Sequence, residues 1–166
     1  MSSNPLKAPD KAPDWIIDRV PQKQPMRFID AVESLSLPDR SIVCSFTVGK
    51  RPCAGVSAET GEMPVVCLTE TMAQSIAALM IAEEGEEGSG FRIGFILSVR
   101  KMVIHADGNL ARGTGILSSV KITFEDDSGV CMAEAAASDA ATGRLLAEAR
   151  ITVMKPKEEY VAELLG

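Results

Sequence analysis

The 166-residue sequence predicts an α+β fold in which an antiparallel β-sheet wraps around one long central helix. Three observations carry this. The segment Met63 to Glu84, MPVVCLTETMAQSIAALMIAEE, is the one long run with helical period. Two strand-like runs precede it and four follow, most of them joined by turns short enough for hairpins. No glycine-rich phosphate loop or parallel crossover pattern interrupts the series.

The helix comes first because it orders the rest. Val65, Leu68, Met72, Ile76 and Leu79 recur at three- and four-residue steps, and Pro64 opens the run as a favoured first-turn residue. A second face carries Val66, Glu70, Ala73 and Ala77, small or apolar groups around a single carboxylate. A solvated face would show several charges. Enclosure among such neighbours disfavours the ionised carboxylate and suits a general acid; the same periodicity also allows Glu70 to reach solvent through a gap in the packing.

Residues 1–13 are polar and proline-rich and predict a flexible arm ahead of one domain over 14–166. Asp14 is placed to cap a short helix, WIIDRV, whose Trp15 and Ile16 or Ile17 pin the arm to the body. Pro21 and Pro25 bracket a loop into a strand expected from about Met26, with Phe28 and Val32 as anchors. Pro38-Asp39 turns the chain into SIVCSFTV, residues 41–48, making a hairpin. The loop 49–62 feeds the helix N-terminus, where free amides can polarise a carbonyl oxygen.

After the acidic turn at 85–90, FRIGFILSVRKMVIHA (91–106) reads as a long strand. Phe91, Ile93, Phe95, Leu97 and Val99 share a face, and a shift to Met102 and Ile104 marks a bulge near Arg100 or Lys101. Strands follow over 114–124, 130–138 and 145–153, then a short amphipathic tail bearing Tyr160, Val161, Leu164 and Leu165.

Composition excludes several function classes. The net charge of -6, from 17 basic and 23 acidic residues, offers no basic surface for nucleic acid. Cys44, Cys53, Cys67 and Cys131 are scattered without metal-ligand or redox spacing, so neither metal nor cofactor is expected, and they read as small buried hydrophobes in a reducing cytoplasm. Residues 1–13 lack an apolar signal core, and no uncharged stretch of about 18 residues predicts a membrane span.

Three blocks then carry a family resemblance. PQKQPMRFIDAV (21–32) resembles the proline-bracketed entry, close to PHR-x-P-x-LL-x-D, of hotdog-fold 3-hydroxyacyl-acyl-carrier-protein dehydratases of the FabA/FabZ type. Met63-Pro64 with Glu70-Thr71-Met72-Ala73-Gln74 resembles their MPG-x4-E-x-MAQ helix. GFILSVRK (94–101) is similar to the GFLLG-x-RK strand of the branch found in aryl-polyene and related polyketide clusters. The resemblance implies a hotdog fold and a homo- or heterodimer with acyl sites along the subunit boundary. It also implies an acyl-carrier-protein substrate for fatty-acid or polyketide-type biosynthesis. By position, Glu70 matches the acid that protonates the departing β-hydroxyl, and Gln74 the residue that supports it. Val65 matches the glycine whose amide helps hold the thioester carbonyl, with Pro64 and Val66 beside it. Val56 stands where the family carries the loop histidine that removes the α-proton. The single histidine, His105, lies beyond the long strand.

Three functions remain open on this basis: a dehydratase with Glu70 as acid and a base still to be found; a noncatalytic subunit that pairs with a histidine-bearing homologue, whose histidine its Glu70 would face; and an acyl thioesterase. Secondary candidates are Arg51 for a carrier phosphate, set against a solvated loop arginine, with Cys53 and Lys101 given ordinary structural roles.

Overall fold

The computed structural model describes residues 12–88 and 94–157, together with 159, 162 and 163. A short helix α1 (Trp15–Arg19) leads to the hairpin β1 (Ala31–Ser36) and β2 (Ser41–Thr47). A 3-10 turn (Val65–Cys67) runs directly into α2 (Leu68–Glu84), and β3 (Phe95–Ile104), β4 (Gly115–Glu125), β5 (Val130–Asp139) and β6 (Leu145–Met154) follow. All pairings are antiparallel, in the order β1-β2-β4-β5-β6-β3. The expected α+β architecture is therefore observed: one sheet curls around one helix. The expected arm at 1–11, Phe91, Ile93, and the tail residues Tyr160, Val161, Leu164 and Leu165 lie outside the described residues.

Strand alternation supplies the inner wall. Ile42, Cys44 and Phe46 of β2, Ile116, Val120 and Ile122 of β4, and Ile151 and Val153 of β6 are buried. On β5 the buried set is Cys131, Ala133, Ala135 and Ala137, small enough for α2 to approach the sheet closely. On α2, Leu68, Met72, Ile76 and Leu79 are fully buried; each such side chain contributes about 1.5–3 kcal/mol. The helix is enclosed more completely than its two-face sequence pattern indicates, since Thr71, Ser75, Ala78 and Ile81 are also buried. The hydroxyls remain satisfied by bonding back along the helix, Ser75 Oγ donating to the Thr71 carbonyl at 2.8 Å. The segment Val65–Glu84 is the single helical stretch among the described residues long and apolar enough to cross a membrane, and here it forms the core of the domain.

Several local expectations need correction. Asp14 makes no side-chain capping bond, although Ile16 and Ile17 are buried as anchors and Ala12 packs beside them. Pro64 is the cap residue of the 3-10 turn (φ -59, ψ 139) and lies outside the helix's first turn. The first strand begins at Ala31, five residues after Met26. Residues 26–29 pass over α2, with Phe28 buried against Phe46 at 5.8 Å between ring centroids, and their polar backbone is met by a helix side chain described below. The bulge in β3 is present: Lys101 has φ 52, and the register against β6 shifts between Arg100 and Val103. At the far end of the helix, Arg40 in the β1-β2 turn bridges Glu83 and Glu125, tying hairpin, helix and β4 together.

Burial holds two thiols far above their usual range, Cys44 up to about 12 and Cys131 up to about 11. Above pH 9 the unfolded chain ionises these thiols while the folded protein keeps their protons, so stability falls as pH rises from about 9 towards 12. Urea midpoints at pH 8 and pH 10 should show the lower value at pH 10. The Cys44→Ala variant should show a smaller drop between the two pH values, although its midpoint at pH 8 is itself lower.

Candidate active site

The site is built on one buried amide. Gln74 is 1 % exposed and sits one helical turn beyond Glu70. Its Oε1 accepts the Phe28 amide at 2.7 Å, and its Nε2 donates to the Met26 carbonyl at 2.8 Å and to Glu70 Oε1 at 2.7 Å. Every hydrogen-bonding position of Nε2 is thereby used, and the backbone partners fix which end of the amide is oxygen. Glu70 Oε1 must accept. Any proton on the carboxyl resides on Oε2, the oxygen that Gln74 leaves free.

Glu70 is partly exposed, so the gap in the packing that periodicity allowed is the observed arrangement. The gap is a cleft of about 400 Å³ lined by Pro21, Gln22, Glu70, Ala73, Ile76, Ala77, Met80, Gly94, Phe95, Ile96 and Val153. Glu70, Ala73, Ala77 and Met80 follow one another along the helix, so the cleft runs about 15 Å from the carboxylate over two small residues to a methionine. Apart from Glu70 and Gln22 its walls are apolar. Its shape suits an extended hydrocarbon chain with a reacting group at the acidic end.

The remaining expected residues group elsewhere. Val56 and Pro64 line a separate hollow of about 320 Å³ with Gly55, Ser57 and Asn109. The loop lies tight against the helix start: a Cβ on Gly55 would stand 2.7 Å from Cys67 Sγ and 2.8 Å from a Phe28 ring carbon. Val65 and Val66 line neither space, and Val66 is 64 % exposed. Their amides open the 3-10 turn, ahead of the first intrahelical bond from the Cys67 amide to the Pro64 carbonyl. The structure thus joins Glu70 to Gln74 directly and Val56 to Pro64, and keeps the two pairs apart within one chain.

No group lining the cleft among the described residues can take a proton from carbon. His105 is far from it: β3 carries the chain roughly 30 Å from Phe95 to that end of the sheet. There His105 Nε2 lies 3.6 Å from Glu148, whose neighbours Ala147 and Ala149 are the buried ones, so the imidazole is on the outer face. Cys53 and Cys67 lie close enough to feel the Glu70 charge, but desolvation pushes both thiols up, which keeps them protonated and poorly nucleophilic. Arg51 pairs with Asp30 at 3.8 Å, and Lys101 lines a shallow depression on the outer face of the sheet.

The dehydratase family described as ApeP-like matches residues 15–165. The chain belongs to that family. It is also 27% identical over 146 residues to the 3-hydroxyacyl-acyl-carrier-protein dehydratase FabZ of Lactobacillus helveticus, covering 85% of this chain and 90% of the relative. Among solved structures, the dehydratase heterocomplex ApeI:P from Xenorhabdus doucetiae superposes with a TM-score of 0.76 at 18% identity, over 91% of this chain and 97% of that one. A hypothetical thioesterase from Streptococcus pneumoniae, solved with coenzyme A, gives 0.53 at 11% identity over 76% of this chain and 87% of that one. These superpositions establish the hotdog fold, and family membership makes this chain a 3-hydroxyacyl-acyl-carrier-protein dehydratase-like protein.

Sequence reasoning missed Gln22, Ile76, Met80 and Ile96 as cleft residues. Ile76 was assigned to the core face alone. Gln22 had a signal, because it occupies the position of the histidine in the PHR-x-P-x-LL-x-D block.

Replacing Gln74 with Ala strips partners from the Phe28 amide and the Met26 carbonyl at a buried site. Unfolding in urea should show a loss of about 2–5 kcal/mol, the range for two orphaned backbone groups. A change under about 0.5 kcal/mol would mean that residues 26–28 are held by other contacts.

Proposed function

We propose that this chain supplies the acid and the acyl cleft of a 3-hydroxyacyl-carrier-protein dehydratase whose base comes from a second hotdog chain. The observation that carries the reading is Glu70, clamped through one oxygen by Gln74, at the end of an apolar cleft that contains no base.

The second chain has a place to bind. β3 is hydrogen-bonded only to β6 and forms an edge of the sheet. Phe95, Ile96, Leu97, Val99, Val103 and Ile104 along it are all at least 36% exposed. An uncovered apolar edge strand is a pairing surface. Phe95 and Ile96 line the cleft as well, so a chain pairing there borders the Glu70 site. A second copy of this chain would bring Val56 and an outward-facing His105, neither able to serve. A homologue with a histidine at the Val56 position would complete one site. The heterocomplex formed by the ApeI:P pair supports this arrangement, as does the absence of a basic group around Glu70 among the described residues.

In the proposed reaction the partner's imidazole removes the α-proton, and the C–H electron pair becomes the Cα–Cβ π bond. The β-carbon–oxygen bond breaks as Glu70 Oε2 gives its proton to the departing hydroxyl, which leaves as water. The Gln74 hydrogen bond supports the carboxylate that remains. Amides of Val65 and Val66 at the helix start would hold the thioester oxygen. The substrate would be an acyl chain on a carrier protein of fatty-acid or polyketide-type assembly.

Mass spectrometry of a 3-hydroxyacyl-carrier protein tests this. The chain together with the host's histidine-bearing hotdog protein should remove one water, and Glu70→Gln should reduce the rate at least 100-fold without lowering stability. Release of free carrier thiol would instead assign a thioesterase. Leu97→Lys, which puts a charge on the β3 edge, should weaken association with the partner at least tenfold by analytical ultracentrifugation; an unchanged dimer would exclude this edge as the interface.

A further inference from the structure

Gln22 brings to the cleft a polar atom that no protein group satisfies. Its side-chain oxygen Oε1 is buried and has no hydrogen-bond partner among the described residues. The residue is held in place by its own backbone, with Pro21 before it and its carbonyl accepting Arg27 Nε at 3.2 Å. It lines the same cleft as Glu70, among the side chains of Ala73, Ile76, Ala77 and Met80. A buried acceptor without a donor costs free energy that a ligand able to donate would recover.

A saturated acyl chain has no donor to offer. A 3-hydroxyacyl chain has one, and it sits on the carbon that Glu70 serves. Resting on the dehydratase reading above, we propose that Gln22 Oε1 accepts the hydrogen bond of the substrate's 3-hydroxyl, while Glu70 Oε2 donates to the oxygen of the same hydroxyl. Gln22 is thus the residue that distinguishes hydroxylated from unhydroxylated acyl chains. The two contacts orient the hydroxyl with its lone pair towards the Glu70 proton. When the β-carbon–oxygen bond breaks, that oxygen leaves with its own hydrogen, still bonded to Gln22, and the proton from Glu70; no other reactant is required. The enoyl product lacks the donor, so it binds less tightly than substrate and is released.

The test compares 3-hydroxyoctanoyl and octanoyl amides of pantetheine, whose α-protons are not acidic enough for elimination, binding to the dimer as it purifies from the host. The wild-type dimer should prefer the hydroxylated ligand by roughly five- to tenfold, the discrimination expected of one buried hydrogen bond. In Gln22→Met, which keeps length and burial, that preference should vanish while octanoyl affinity stays within twofold. A retained preference in Gln22→Met, or an equal loss of both affinities, would overturn the role of Gln22 and leave the dehydratase reading intact. Failure of the wild-type dimer to bind either ligand would overturn the dehydratase reading itself.

Discussion

The buried amide of Gln74 is the interaction on which the rest depends. A polar side chain at 1 % exposure inside a helix that is otherwise apolar is tolerated only if its donors and acceptor are all matched. Two of the three bonds go to the backbone of residues 26–28, where no strand partner exists, and the third goes to Glu70. One residue therefore joins the proline-bracketed entry segment to the helix and fixes which carboxylate oxygen can carry a proton. The entry segment in turn places Pro21 and Gln22 over the cleft. Stability and chemistry share the same group here, so the amide cannot be exchanged for an apolar residue of similar size without unfastening both.

The sheet sets a second constraint. Its order leaves β1 and β3 at the edges, and β3 carries the exposed apolar side chains. Two of those side chains also wall the cleft. Covering the edge and closing the acyl site are consequently one event, and the chemistry of the covering chain decides what the site can do. An edge without a base on this chain favours a division of labour in which the acid and the base come from different subunits.

The helix and the six strands were legible because their signals are local: a helical period around Glu70, strict alternation in β2, β4 and β6, and turn residues between them. The start of β1 was not, because Pro25, Met26 and Phe28 have strand-compatible character while their backbone is captured by a glutamine 46 residues further on. The burial of Thr71 and Ser75 was likewise hidden, since polar residues on a helix read as a solvated face until α1 and the sheet are placed around them. The pairing of Glu70 with Gln74 could be anticipated from their spacing. Gln22 could not be read as part of the cleft, because it reaches the site only when the entry segment folds across α2. The outward direction of His105 depends on its pairing with Glu148 across β3 and β6, which no local pattern encodes.

The most direct measurement is a double-mutant cycle across the two chains: turnover of a 3-hydroxyacyl-carrier protein by the mixed dimer carrying Glu70→Gln in this chain, the loop histidine replaced by Ala in the partner, or both. A single composite site predicts that each change alone abolishes water loss and that the double variant is no slower than either, because acid and base act in the same step. Losses that multiply, or full activity with Glu70→Gln, would place the chemistry in a site that this chain does not complete.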